Sequence, residues 1–140
     1  MYQKLVGSNH RIFVRTTGNK VIGFLKMGEK NLFHRDAMGR VTEIYILCVL
    51  DFYVHESMQR GGHGKALFER MLAYEKEPPV KMAYDRPSYL LLRFLRKHYN
   101  LINYIPQNNK YVIFDEFFRN HHGKSKNAPK SSLNNNNRNI

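Results

Sequence analysis

The sequence predicts a single α/β domain, a mixed sheet flanked by helices. Three observations carry this. The run VTEIYILCVLDFYV, residues 41–54, is long and dominated by Val, Ile, Tyr and Phe. It feeds a glycine-rich elbow that opens an amphipathic helical pattern, and a short strand follows. A strand, a helix and a second, parallel strand make a right-handed crossover unit. A last β-rich pair near the C-terminus then extends the sheet. The 140 residues suit one domain, and 42% hydrophobic content supplies a packed core.

The elements follow in order. RIFVR, from Arg11, and KVIGFLKMG, from Lys20, are β-rich and separated by Thr17-Gly18-Asn19, a turn signal. KNLFHRD after Gly28 reads as a third strand, and Ala37-Met38-Gly39 marks another turn. The 41–54 run is too long for an ordinary strand, so a bulge or bend is expected inside it. The helix after the elbow places Ala66, Leu67, Met71, Leu72 and Tyr74 mainly at three- and four-residue spacing. Pro78-Pro79 stops it. VKMAY is a short strand ending at Asp85. Asp85, Pro87 and Ser88 mark the start of a second helix. Its core stripe is Leu91, Leu92, Leu95 and Tyr99, with Arg93, Arg96 and Lys97 solvated. LINYIP and KYVIFDEFF read as two strands joined around Gln107-Asn108-Asn109.

Composition narrows the class. The chain has 23 Lys and Arg against 11 Asp and Glu, a net charge of +12. That favours polyanionic partners: nucleic acid, an anionic membrane or an acidic protein surface. The lone Cys48 allows no internal disulfide, and no Cys/His pair has zinc spacing, so no metal is expected. The N-terminus has no signal-peptide apolar region, and no run approaches membrane-span length. The expectation is a soluble cytosolic or nuclear protein, a monomer with its domain over residues 1–118. Residues 119–140, basic and Asn-rich, cannot bury enough apolar surface to offset ordering entropy, and read as a disordered tail.

The elbow reads Gln59-Arg60-Gly61-Gly62-His63-Gly64-Lys65. Glycines let a backbone approach a ligand and accept positive φ. The free N–H groups and dipole of the following helix favour an anion at the same place. Arg60 and Lys65 add full charges, giving a pyrophosphate cradle. Ala66 after Lys65 disfavours a nucleotide-triphosphate P-loop, and a dinucleotide G-x-G-x-x-G needs a different spacing. A glycine-rich turn without a ligand remains the alternative.

Gln-x-x-Gly-x-Gly is the acetyl-CoA signature of GCN5-related N-acetyltransferases. LCVLDFYVHESMQRGGHGKALFERML, DRPS, RFLRKHYNL and IPQNNKYVIFDEFF resemble the alpha-tubulin N-acetyltransferase family over roughly residues 8–118. The resemblance implies a GCN5-related fold and acetyl transfer from acetyl-CoA to one lysine of alpha-tubulin, in a loop facing the microtubule lumen. It implies that Phe52, Tyr53, Val54, His55, Gln59, Arg60, Gly61, Gly62, His63, Gly64 and Lys65 bind the cofactor. Ser88, Leu91, Arg96 and Lys97 would add further contacts to it. It places the catalytic cysteine and aspartate on Cys48 and Asp85. Separately, Arg86 is a candidate for contact with the substrate loop. The family's QRHGHG reads QRGGHG here, which leaves the backbone cradle intact. Family members also carry a first strand, a helix and an important glutamine before the region matching Ser8, for which this chain has no counterpart.

The chemistry asked of these residues is definite. A lysine amine, with pKa about 10.4, must lose a proton before it attacks a thioester. Asp85 is expected to act as base or to orient the ammonium. Cys48 is expected to share the work if positive charge lowers its pKa. A backbone N–H near Val49 or Leu50 would stabilise the oxyanion. Direct transfer is favoured over an acetyl-cysteine intermediate. Other roles stay open from the residues alone. Cys48 can be an inert core thiol and Asp85 a helix cap. Asp51 is a weaker second carboxylate, and Arg86, Arg96 and Lys97 can be a plain solvated face. The alternative function is a non-catalytic basic module that binds microtubules or nucleic acid. A related acetyltransferase for another lysine or a polyamine would differ only in its acceptor.

Overall fold

The computed structural model describes residues 2–4, 9–56 and 61–119. Six strands form one sheet in the order β1-β2-β3-β4-β5-β6. They are β1 (Tyr2–Lys4), β2 (Arg11–Thr17), β3 (Lys20–Arg35), β4 (Val41–Val54), β5 (Ala83–Asp85) and β6 (Tyr111–Ile113). Helix α1 (His63–Glu75) joins β4 to β5, and α2 (Tyr89–Tyr99) joins β5 to β6. Among the described residues only β4 and β5 run parallel; every other neighbouring pair is antiparallel. The sheet is therefore mixed and built around a strand-helix-strand crossover, as the sequence predicts. The 119–140 tail, apart from Arg119, lies outside the described residues.

Alternation along the strands sends successive side chains to opposite faces. Phe13, Leu25, Met27, Val49, Tyr84 and Val112 form the core beneath the helices. Leu67, Phe68 and Met71 of α1 and Leu91 and Leu95 of α2 close over it. The helices meet through Phe68 and Phe94, whose rings lie edge-on at 5.3 Å. The opposite face carries a second cluster of Leu32, Ile46, Cys48, Ala83, Ile113 and Phe117.

Three sequence expectations are corrected. Lys20–Arg35 is one unbroken 16-residue strand, not two strands parted near Gly28. Gly28 stays in the ladder opposite Cys48, and its missing side chain makes room for the His10 ring. LINYIP is not a strand; it contributes a single bridge, Tyr104 to Phe114. KYVIFDEFF is a strand only to Ile113, and residues 115–119 turn helical and lay Phe117 and Phe118 on the second cluster. There a 3.6-residue period packs both rings against one face, which a continued strand cannot do. β1, a short strand on the edge of β2, was not read from the sequence.

The expected irregularity in β4 is present. Met27 pairs with Val49 and Lys26 with Asp51, so Leu50 is an extra residue on its strand, a bulge.

Candidate active site

The parallel pair β4–β5 sets the site. It is two residues long, Cys48 to Ala83 and Val49 to Tyr84. Beyond it β4 runs on past the bulge to Val54, whereas β5 turns to β6, with Asp85 opposite Tyr111. Among the described residues no strand pairs with β4 on that side after Val49. A cleft therefore opens between the two strands, with the Leu50 bulge at its apex.

Cys48 and Asp85 flank this apex. Asp85 lies two residues beyond Ala83, the partner of Cys48, and so shares its face. The Asp85 carboxylate is close enough to act electrostatically on the thiol. Cys48 is fully buried and its Sγ donates to the Ile46 carbonyl at 3.4 Å. Burial pushes the thiol up to about 12, helped by the negative charges of Asp85 and Glu29; Lys30 opposes them only partly. This corrects the expectation of a lowered thiol pKa. Cys48 is a neutral thiol at physiological pH, because desolvation outweighs the nearby lysine.

Asp85 is not a helix cap. Ser88 caps α2, its Oγ accepting from the Leu91 N–H at 3.1 Å. The Asp85 side chain is 14% exposed, and its Oδ1 accepts from Arg86 Nε at 3.1 Å. Arg86 is 73% exposed on its side chain and holds a left-handed φ of 41°. Its N–H donates to the Lys110 carbonyl at 3.0 Å, which fixes this turn against the start of β6. A non-glycine residue at positive φ costs on the order of 1 kcal/mol, and such strain clusters at functional sites.

The elbow lies at the far end of the cleft. Gly62 precedes α1 at φ 83°, without a side-chain cap. Only glycine takes that φ without strain. A Cβ on Gly64 would stand 3.6 Å from Val54 and 3.9 Å from Phe52, so the helix start packs closely over β4. Phe52 and Val54 thus lie under the elbow, whereas Tyr53 and His55 are exposed. Lys65 sits in the first turn of α1 and acts electrostatically on His98, in the last turn of α2. The exposed Arg96 and Lys97 share that last turn. Gln59 and Arg60 lie outside the described residues. Leu91 is a core residue, and Asp51 is exposed and opposite Lys26.

Open glycine backbone, a helix N-terminus without a side-chain cap and the Lys65 charge suit a pyrophosphate, and the edge of β4, strandless among the described residues, suits an extended, amide-bearing arm. These features fit acetyl-CoA. No cluster of three metal-ligating side chains occurs among the described residues. No described helix is long and apolar enough to cross a membrane.

Tyr111 completes the cluster and was missed by sequence reasoning. In KYVIF it reads as an ordinary strand former, and only the β5–β6 register puts it opposite Asp85.

The family described as "GNAT acetyltransferase, Mec-17" matches residues 1–140. An alpha-tubulin N-acetyltransferase of Tetrahymena thermophila is 57% identical over 118 residues, covering 84% of this chain and 30% of that protein. One from Aedes aegypti is 48% identical over 127 residues, covering 88% of this chain and 47% of its own length. The chain thus spans less than half of either relative. The solved AtaT Y144F toxin, bound to the C-terminus of antitoxin AtaR and acetyl-CoA, shares the fold. Its TM-score is 0.50 at 16% identity, over 74% of this chain and 64% of that one.

Proposed function

Because the chain belongs to the Mec-17 family of GNAT acetyltransferases, we propose that it is an acetyl-CoA-dependent lysine acetyltransferase acting on alpha-tubulin, at a lysine in the microtubule lumen. The observation that carries this is the parting of β4 and β5 after Val49, with Cys48 and Asp85 at the apex and the elbow beyond. The relatives' name supplies the acceptor protein, and with it a place on the microtubule cytoskeleton. Tubulin surfaces are acidic, which suits a chain of net charge +12.

Acetyl-CoA supplies an activated thioester. The lysine nitrogen forms a bond to its carbonyl carbon, the carbon–sulfur bond breaks, CoA leaves as the free thiol once its sulfur takes up a proton, and the amine's surplus proton must leave. Asp85 is the group to receive that proton or to hold the ammonium until water takes it. General-base help of this kind is typically worth about 10²–10⁴-fold. Arg86 is the exposed partner that yields the carboxylate to an incoming ammonium. Cys48, neutral and buried, acts by packing and by its S–H rather than as a thiolate. That favours direct transfer within a ternary complex, because an acetyl-cysteine route needs the thiolate. The peptide at the Leu50 bulge is the oxyanion donor.

The test is to incubate the purified chain with acetyl-CoA and polymerised microtubules and map acetyl-lysines by mass spectrometry. Acetylation of the lumenal lysine, lost in Asp85→Asn, is the expected result. A folded chain that binds acetyl-CoA and transfers nothing would refute the proposal and leave a binding module.

A further inference from the structure

Tyr111 is the antiparallel register partner of Asp85. Side chains so paired leave the same face of the sheet, with Cβ atoms about 5 Å apart. Tyr111 is half-buried and packs against the cluster that contains Cys48, Ala83 and Ile113. Its phenol is close enough to the Asp85 carboxylate to interact with it. The charged and titratable groups that act on it are Asp85 and Arg86 at the end of β5 and Cys48 on β4. Burial first, and then Asp85 and Cys48, push the phenol up to about 12, while Arg86 pulls it down. The hydroxyl therefore keeps its proton and remains a donor throughout the neutral range.

The two neighbours of Asp85 differ in kind. Arg86 is solvent-exposed and sits on strained backbone, so an incoming ammonium can displace it. Tyr111 is half-buried, and its ring gives up apolar packing against the second cluster if it swings away. We propose that Tyr111 is a positioning residue of the transfer site: its hydroxyl stays on the Asp85 carboxylate while Arg86 gives way, and it fixes the carboxylate for the acceptor amine. This rests on the proposed acetyl transfer at Asp85.

Two readouts test it. The first needs no activity. In the chain labelled with tyrosine ¹³Cζ, the Tyr111 resonance, assigned by its loss in Tyr111→Phe, moves between the parent and Asp85→Asn, a spectral step that reports the contact. A resonance at the same position in both chains overturns the proposal. The second is kinetic. Tyr111→Phe lowers kcat about tenfold to a hundredfold, the loss expected for one hydrogen bond to a charged group. KM for acetyl-CoA stays within about twofold, because the elbow is untouched. An unchanged kcat, or a kcat that falls together with acetyl-CoA affinity, overturns the proposal. Transfer without the spectral step refutes Tyr111 alone. The step without transfer by the parent chain refutes the transfer reading, and the positioning role with it, while the contact itself stands.

Discussion

At the scale of single residues, burial decides more than charge does. Cys48 has Lys30 close by, yet desolvation wins and the thiol is pushed up to about 12. Alkylation by iodoacetamide at mildly alkaline pH should therefore be slow in the folded chain, and should accelerate by orders of magnitude in denaturant. Rapid labelling of the native protein, read by intact mass, would contradict a buried neutral thiol. Asp85→Asn should lower turnover about 10²–10⁴-fold with acetyl-CoA affinity within about twofold, measured by calorimetry and steady-state kinetics. Cys48 and Asp85 come from the sequence only as the resemblance places them, and the β4–β5 register sets them on one face. The direction of the thiol's shift was not legible there, because burial is a property of the packed β4 and not of neighbouring letters. Tyr111 was illegible for a related reason: its partner lies 26 positions away by number and is fixed only by strand register.

At the scale of elements, the parts with strong local signals were read correctly. The bulge in β4 follows from a 14-residue apolar run that a regular strand seldom sustains. Both helices follow from their spacing and from Ser88. The failures lie where tertiary context overrides propensity. Gly28 looks like a break, yet it is the one residue that fits beneath His10. DEFF is rich in aromatic residues that favour strands, yet it turns helical to lay Phe117 and Phe118 on the second cluster. The cap on α2 gives an element-scale prediction. Ser88→Ala removes the acceptor for the Leu91 N–H and should cost about 1 kcal/mol in urea unfolding. Gly62→Ala meets nothing within 4 Å and is strained only by its φ of 83°, about 1 kcal/mol. Its sharper consequence is weaker acetyl-CoA binding with an unchanged core. Equal affinities for parent and variant would remove Gly62 from the cradle.

At the scale of the whole molecule, two buried polar groups bind distant parts together. Arg11 on β2 bonds Glu29 on β3 and Glu75 at the end of α1, each at 2.9 Å. Burial alone would lower its affinity for protons, but the two carboxylates outweigh it and keep the guanidinium firmly charged. Removing it by Arg11→Met leaves two carboxylates facing each other and should cost about 3–5 kcal/mol. His34 does the corresponding work on the other face. It is 4% exposed on β3, and its ring lies 4.5 Å from that of Phe118. Burial lowers its pKa below the ordinary 6.5, against the opposing pull of Asp36 and Asp115. The sign of the consequence follows. Above 6.5 the imidazole is neutral in both folded and unfolded chains, and its contribution is complete. As pH falls through 6.5 the unfolded chain takes up the proton first, so stability declines until the folded-state pKa is passed. His10 and His98 are lowered in the same direction, so the measurement is a difference between chains. Urea unfolding of the parent and of His34→Phe, at a neutral and at a mildly acidic pH, isolates the term. The parent should lose more stability on acidification than the variant does. Equal losses would mean that the histidine ring is neutral or solvated in both states, and that the helical turn at residues 115–119 is held to β3 by its aromatic rings alone.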